Sequence, residues 1–354
     1  MNALSLLIGA VAIVGVFLIL VIPHELGHFS LAKLVRVRIH EYSVGMGPQL
    51  FSFRRGETLY ALRALPIGGY VRLAGMQPGE YDDPRGFYSV PVWKKLLILV
   101  AGAAVNFLVA AALMTGVYLT QVNHDPGLVE AVTVSGPAYQ AGLRPGDRMQ
   151  AADGQPLRRS DDLLRIENDR PGQPLTLDVV HQNGSRDVVQ IQPAYDSERH
   201  RWLIGVSPRP VVSAADAVGA GVSFPVRIVV LTFQNFAALF TGQIPGGLYG
   251  PNGVTGAVGV GAITYQAANQ GLVNYLAVAA YFSVALGLAN LLPLPALDGG
   301  HMTVAIAEAV RRRPFDRTRE AAVQRAGLLA LLALGLVVVF LDLHRLLLGQ
   351  LTVR

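Results

Sequence analysis

Two histidines and a glutamate stand at the end of an uncharged apolar stretch: Val21-Ile22-Pro23-His24-Glu25-Leu26-Gly27-His28. On a helix, side chains four positions apart lie one turn above the other. His24 and His28 can therefore offer both imidazoles to one tetrahedral ion. Glu25 sits beside them, where a carboxylate can take a proton from an attacking water. No charge interrupts the chain from Ala3 to Ile22, long enough for a helix to cross a bilayer. Ionisable groups in a membrane helix are costly and usually serve function. The plain alternative is a helix end that carries interfacial histidines.

Two imidazoles do not complete a catalytic zinc site, which takes three protein ligands and leaves one position for water. The 354 residues include no cysteine, so disulfides, thiolate catalysis and Cys-ligated zinc are excluded. The third ligand must be His, Asp or Glu. Asp298 is the only acidic residue between Asp216 and Glu308, and it lies in Asn290-Leu291-Leu292-Pro293-Leu294-Pro295-Ala296-Leu297-Asp298-Gly299-Gly300-His301. The paired prolines would open a helix just before it, and Gly299 and Gly300 permit a tight backbone after it. A turn carboxylate is the plain reading of Asp298. His301 could compete as ligand, or act as a neighbour that orients one. The remaining histidines, at 40, 124, 181, 200 and 344, read as ordinary surface residues.

These groups need a membrane scaffold, and the composition supplies one. Hydrophobic residues make up 52% and charged residues 15%, against about a quarter charged in soluble chains; mean hydropathy is +0.41. The expected class is a polytopic α-helical membrane protein with four transmembrane helices and one soluble domain. The divisions are a first helix with HExxH (1–30), a loop holding a β-hairpin (31–95) and a second helix (96–120). A small outer domain (121–210) and an interfacial helix with a Gly-rich segment (211–270) follow. A third helix ending in Leu-Asp-Gly (271–300), a basic loop (301–325) and a fourth helix (326–350) complete the chain. No Lys or Arg precedes the first apolar run, so it reads as a retained span and not a cleaved signal peptide.

Charge sets the orientation. Residues 30–95 carry ten Lys or Arg against five acids, and the stretch Arg311 to Arg325 is also basic, whereas 121–216 hold ten Arg against thirteen acids. The positive-inside rule places the first two in the cytoplasm and the third outside. His24, His28 and Asp298 then fall at similar depth on the cytoplasmic side. The segment 217–240 is apolar enough to consider as a fifth span, but Pro225 and Arg227 interrupt it, and parity favours a helix lying along the outer interface. The basic pI of about 9.5 follows from the loops and gives no separate support for nucleic-acid binding.

Around Arg55-Gly56, two short strands alternate with Phe51/Phe53 and Tyr60/Leu62 at period two. A plain hairpin accounts for the pattern. The functional alternative is that its edge holds an unwound substrate stretch by strand addition. Asn106 and Asn290 are candidates to hydrogen-bond such a strand, or polar links between helices. Residues 127–207 read as one small domain with a Gly136-to-Asp147 turn–helix–turn and an Asn183-Gly184 hairpin.

His-Glu-Leu-Gly-His and Asn-Leu-Leu-Pro-Leu-Pro-Ala-Leu-Asp-Gly-Gly-His resemble the two signature motifs of the site-2 proteases, zinc metalloproteases that cut within the membrane. The hairpin segment from Val44 to Met76, Gly102 with Asn106, and Gly253 to Val260 resemble further motifs of the bacterial regulator-of-sigma-E protease group. By this resemblance the hairpin is membrane-associated on the cytoplasmic side, and the small domain resembles an α+β PDZ domain outside the cytoplasm. The resemblance implies one Zn2+ on His24, His28 and Asp298, with Glu25 as catalytic acid/base. It also implies a bacterial inner-membrane location, with the PDZ domain outside and the active site toward the cytoplasm. Single-span membrane proteins, such as anti-sigma-factor-like substrates or remnant signal peptides, would be cut, with peptide or protein contacts through the PDZ domain, lipid around the spans and no nucleic acid. Members with two PDZ domains are familiar; this chain has room for one. A metal transporter and a non-catalytic membrane adaptor stay open as rivals.

Overall fold

A computed structural model describes residues 3–159, 161–197, 200–240 and 256–347. The chain divides into two compact units: Met1–Val117 with Ala220–Arg354, and Tyr118–Gly219. In the larger unit α1 (Ala3–Leu34) is helical through Pro23, whose missing N–H removes one helical hydrogen bond just before the histidines. Strands β1 (Ile39–Arg55) and β2 (Thr58–Leu73) follow, then α2 (Val92–Leu119). The strands are longer than the sequence pattern suggests. Phe51 pairs with Leu62 and Phe53 with Tyr60 beside the expected Arg55-Gly56 turn, and residues 41–44 pair with 59–62 on one side and 69–72 on the other. Glycines at 45, 47 and 68 adopt positive φ where the ribbon bends. The alternation visible near Arg55-Gly56 is thus only the tip of a folded ribbon.

Tyr118–Gly219 forms a small α+β unit. It contains β3 (Val129–Val132), α3 (Pro137–Gln140), β4 (Arg148–Ala152), β5 (Gln155–Pro156) and α4 (Asp162–Asp169). Strands β6 (Leu175–Val180), β7 (Arg186–Ile191), β8 (Ala194–Asp196), β9 (Arg201–Leu203) and β10 (Val206–Pro208) complete it. A four-stranded sheet runs β5-β4-β6-β7, and β10 pairs with β3. Leu175, Leu177 and Val179 alternate inward from β6, meeting Leu163 and Ile166 of α4 in one apolar core.

The chain continues through α5 (Ala214–Phe240), α6 (Ala257–Gln270), α7 (Leu272–Leu291), α8 (Asp298–Arg311) and α9 (Arg317–Leu347). Among the described residues, five helices are long and apolar enough to cross a membrane: Leu7–Leu34, Val92–Leu119, Ala214–Ala238, Leu272–Leu291 and Arg317–His344. Four of them overlie the expected spans. The fifth is the segment expected along the interface, and it stays helical through Pro225. The Gly253–Val260 motif lies outside the described residues at 253–255; its remainder enters α6.

One difference bears on the site. The sequence reading keeps Asp298 at the end of the third span; instead α7 stops at Leu291, and Asp298 opens a separate helix. Leu292 is extended (φ −65°, ψ 142°), as a residue before proline prefers, and Ala296 takes a positive φ of 70°. The two prolines deny the helix its donors, so the chain breaks, turns and restarts. The expected basic loop at 301–325 is correspondingly mostly helix, with Arg312 in the left-handed conformation that ends α8.

Candidate metal centre

α1 and α2 cross closely at Gly27, where a Cβ would stand 2.5 Å from the Ala101 carbonyl oxygen. Small residues permit such backbone contact between membrane helices. The crossing places His24 and His28, both buried, against α2. Their Nε2 atoms lie 3.1 Å apart. Asp298, from the first turn of α8, brings its Oδ2 to 3.4 Å from His24 Nε2 and 3.2 Å from His28 Nε2. Among the described residues this is the only group of three such ligand atoms.

The triangle fits a zinc ion. Bonds of about 2.0–2.1 Å in a tetrahedron put ligand atoms about 3.3–3.4 Å apart, close to the three separations here. The Asp298 Oδ2 is buried without a hydrogen-bond partner, a state that costs free energy unless a cation satisfies it. Two nitrogens and one carboxylate oxygen, with no thiolate, match the donor set of catalytic zinc.

Surrounding groups orient these side chains. His28 Nδ1 lies 2.8 Å from the Ile98 carbonyl oxygen; a carbonyl only accepts, so Nδ1 carries the proton and Nε2 keeps its lone pair for a metal. His24 Nδ1 lies 3.3 Å from the Asn106 carboxamide. Asn106 is fully buried, and its backbone carbonyl accepts from Ser283 of α7 at 2.8 Å. Gly102 completes the wall: a Cβ there would press on both imidazoles. On α9, Gln324 accepts from the Ala296 N–H, and Gly327 packs against Pro295. The loop that delivers Asp298 is thereby pinned from a helix that contributes no ligand.

Glu25 is half-buried on the same turn. The second half of β2 runs beside it, since a Cβ on Gly69 would meet Glu25 Cγ at 3.3 Å and the Ser43 carbonyl oxygen at 2.8 Å.

The remaining sequence candidates are dispersed. Asn106 touches His24 directly, while Asn290 is half-buried near the end of α7. Phe53 stacks on Tyr60 with ring centres 5.1 Å apart, and Tyr60 meets Phe29 of α1. Phe51 and Leu62 are exposed. The strand next to Glu25 is therefore 69–73, and the pairs near Arg55 lie further along the ribbon. His301 stands apart from the triangle, with Nδ1 3.8 Å from Glu320 of α9. Sequence reasoning missed the Ile98 carbonyl, Gly69, Gln324 and Gly327. A glycine pair inside a strand was the one available signal, because it marks a close approach.

Comparison with known proteins identifies the family. The family model described as "Peptidase family M50" matches residues 12–334. The regulator of sigma-W protease RasP of Bacillus subtilis is 29% identical, covering 95% of this chain and 98% of its own. The zinc metalloprotease RasP of Bacillus licheniformis is 28% identical, covering 95% and 99%. A solved PDZ domain from Listeria monocytogenes is 21% identical over 25% of this chain and 90% of its own, with a TM-score of 0.22. The chain belongs to peptidase family M50, the site-2 metalloproteases.

Proposed function

We propose that this metalloprotease is a zinc-dependent intramembrane endopeptidase acting on single-span membrane proteins. The observation that carries the reading is the triangle of His24, His28 and Asp298 beside Glu25, with the histidines on a helix that has the length and hydropathy of a membrane span and Asp298 at the start of the short helix α8. His24, His28 and Asp298 would hold one zinc ion, which supplies Lewis acidity toward a peptide carbonyl and a nucleophilic water at neutral pH. Glu25 takes the proton of the attacking water and returns it to the leaving nitrogen. Asn106 and the Ile98 carbonyl hold the imidazoles in place.

A substrate helix buries its peptide bonds in its own hydrogen-bond ladder, so it must unwind before attack. The segment 69–73 of β2 runs past Glu25 and supports strand addition as the holding device; Phe51, Phe53, Tyr60 and Leu62 would extend that platform, and Asn290 would hydrogen-bond the unwound stretch. The charge pattern supports a cytoplasmic-facing site and an outer PDZ-like domain in a bacterial inner membrane, with α5 along the outer interface. The name of the Bacillus subtilis relative favours anti-sigma-factor-like substrates, with remnant signal peptides as the second class.

The test is a single-span reporter co-expressed with the wild type, with Glu25→Gln, or with His24→Ala/His28→Ala. Cleavage is expected only with the wild type, and zinc is expected in the wild type and Glu25→Gln but not in the double variant. Undiminished cleavage by Glu25→Gln would remove the acid/base role, and full zinc in the double variant would remove the ligand assignment. A transporter or adaptor would show zinc without any cleavage.

A further inference from the structure

The smaller unit contains a groove in which one of its own side chains already holds the backbone. A cavity of about 360 Å3 lies between α4 and the start of β10, with Leu163, Leu164, Glu167, Arg201, Gly205 and Val206 in its lining. β10 pairs with β3 along one edge, and no strand pairs with its other edge among the described residues. An extended peptide laid on a free edge gains main-chain hydrogen bonds, and in many such grooves backbone N–H groups capture a C-terminal carboxylate.

Here a backbone donor of that kind is taken. The Ile204 N–H, immediately before Gly205 and Val206, donates to Glu167 Oε1 at 3.0 Å, while the Ile204 carbonyl accepts from Ala138 on the far side at 2.9 Å. Glu167 is 7% exposed, so its carboxylate is a fixed part of the groove wall. Arg201 lines the same cavity with its Nε buried and without a hydrogen-bond partner. A peptide carbonyl can satisfy that donor. A terminal carboxylate would have to displace Glu167 from Ile204 or lie beside it, setting two like charges together in a partly desolvated site.

We infer that this groove binds an internal extended peptide segment and rejects a free C-terminal carboxylate, with Glu167 as the residue that sets the choice. The inference rests on the reading of this unit as a peptide-binding domain and is independent of the zinc chemistry. The occupant is an internal extended stretch of a partner polypeptide that enters and leaves the groove without ending in it.

The full chain carrying Glu25→Gln, held in detergent, tests this by panning two phage-displayed libraries of short random peptides. One library ends in a free carboxylate; the other is flanked by chain on both sides. The enriched peptide is then synthesised as acid and as amide for fluorescence anisotropy. Expected is enrichment from the flanked library, with the amide binding about ten-fold tighter than the acid. In Glu167→Val and in Glu167→Gln, which keeps the size and the acceptor, the two forms should bind within about two-fold of each other. Enrichment of free C-termini by the Glu167 protein, equal affinity for acid and amide, or enrichment from neither library would each overturn the inference. Cleavage and zinc content are measured separately on the chain with Glu25 intact, so either reading can fail while the other stands.

Discussion

Gly102 lies flat against His24: a Cβ added there would stand 2.6 Å from the His24 Cε1 and 2.8 Å from its Nε2. The ring is also tied to Asn106, whose carboxamide lies 3.3 Å from its Nδ1. Gly102→Ala should therefore displace the ring and weaken zinc binding by about 10–100-fold, the range seen when groups that orient ligands are lost. Zinc retained against a competing chelator, measured on purified protein, is the readout; unchanged retention would contradict the packing argument.

Gly69 offers the complementary case. A side chain there meets Glu25 Cγ and the Ser43 carbonyl oxygen, not the imidazoles. Gly69→Val should leave zinc content intact while cleavage falls by about 10²–10⁴-fold, the span attributed to a positioned acid/base. Loss of zinc in parallel would place the damage in the ligand set instead.

The Asp298 loop depends on α9. Gly327 packs on Pro295, whose Cα would lie 3.1 Å from an added Cβ, and Gln324 accepts from the Ala296 N–H. Gly327→Leu should push the loop away and lower zinc affinity, although position 327 contacts no ligand. Gln324→Leu should have a smaller effect of the same sign, since it removes one hydrogen bond of about 1 kcal/mol. Zinc titration of both variants would rank them.

How far the sequence carried these conclusions depended on whether the chemistry was local. His24, Glu25 and His28 sit on one turn, so their spacing alone placed them together, and apolar runs marked four of the five span-length helices found among the described residues. Asp298 was reachable because acids are so scarce around it. Its setting was not, since whether two prolines kink a helix or end it depends on what packs on the break, here Gln324 and Gly327. The ribbon was underestimated for a similar reason: its inner pairings join residues whose alternation is interrupted by Gly45, Gly47 and Gly68, and only tertiary contact reveals them.

Within the smaller unit, burial pushes the Glu167 carboxyl above its ordinary value, against the opposing influence of the Ile204 hydrogen bond and Arg201. A carboxyl that holds its proton more tightly when folded favours the folded state at low pH. Its contribution is lost as pH rises from the ordinary carboxylate range through the raised value. Glu167→Gln should flatten that dependence and make the unit more stable at neutral pH. Unfolding followed by Trp202 fluorescence in a Trp93→Phe background would show it; an unchanged pH profile would refute the assignment.

The chain has no cysteine, so single cysteines can report the placement of α5 without a background. Introduced at Val218 and Phe236, both exposed on that helix, they should react with a membrane-impermeant maleimide from the same outer face if α5 lies along the interface. Labelling from opposite faces would make α5 a fifth span and place the arginines between α8 and α9 outside.

The break between α7 and α8 has a consequence for biosynthesis. Asp298 follows His28 by 270 positions, so a growing chain carries two of the three candidate ligands long before the third is made. A chain that lacked α8 would hold only two of the three candidate ligands.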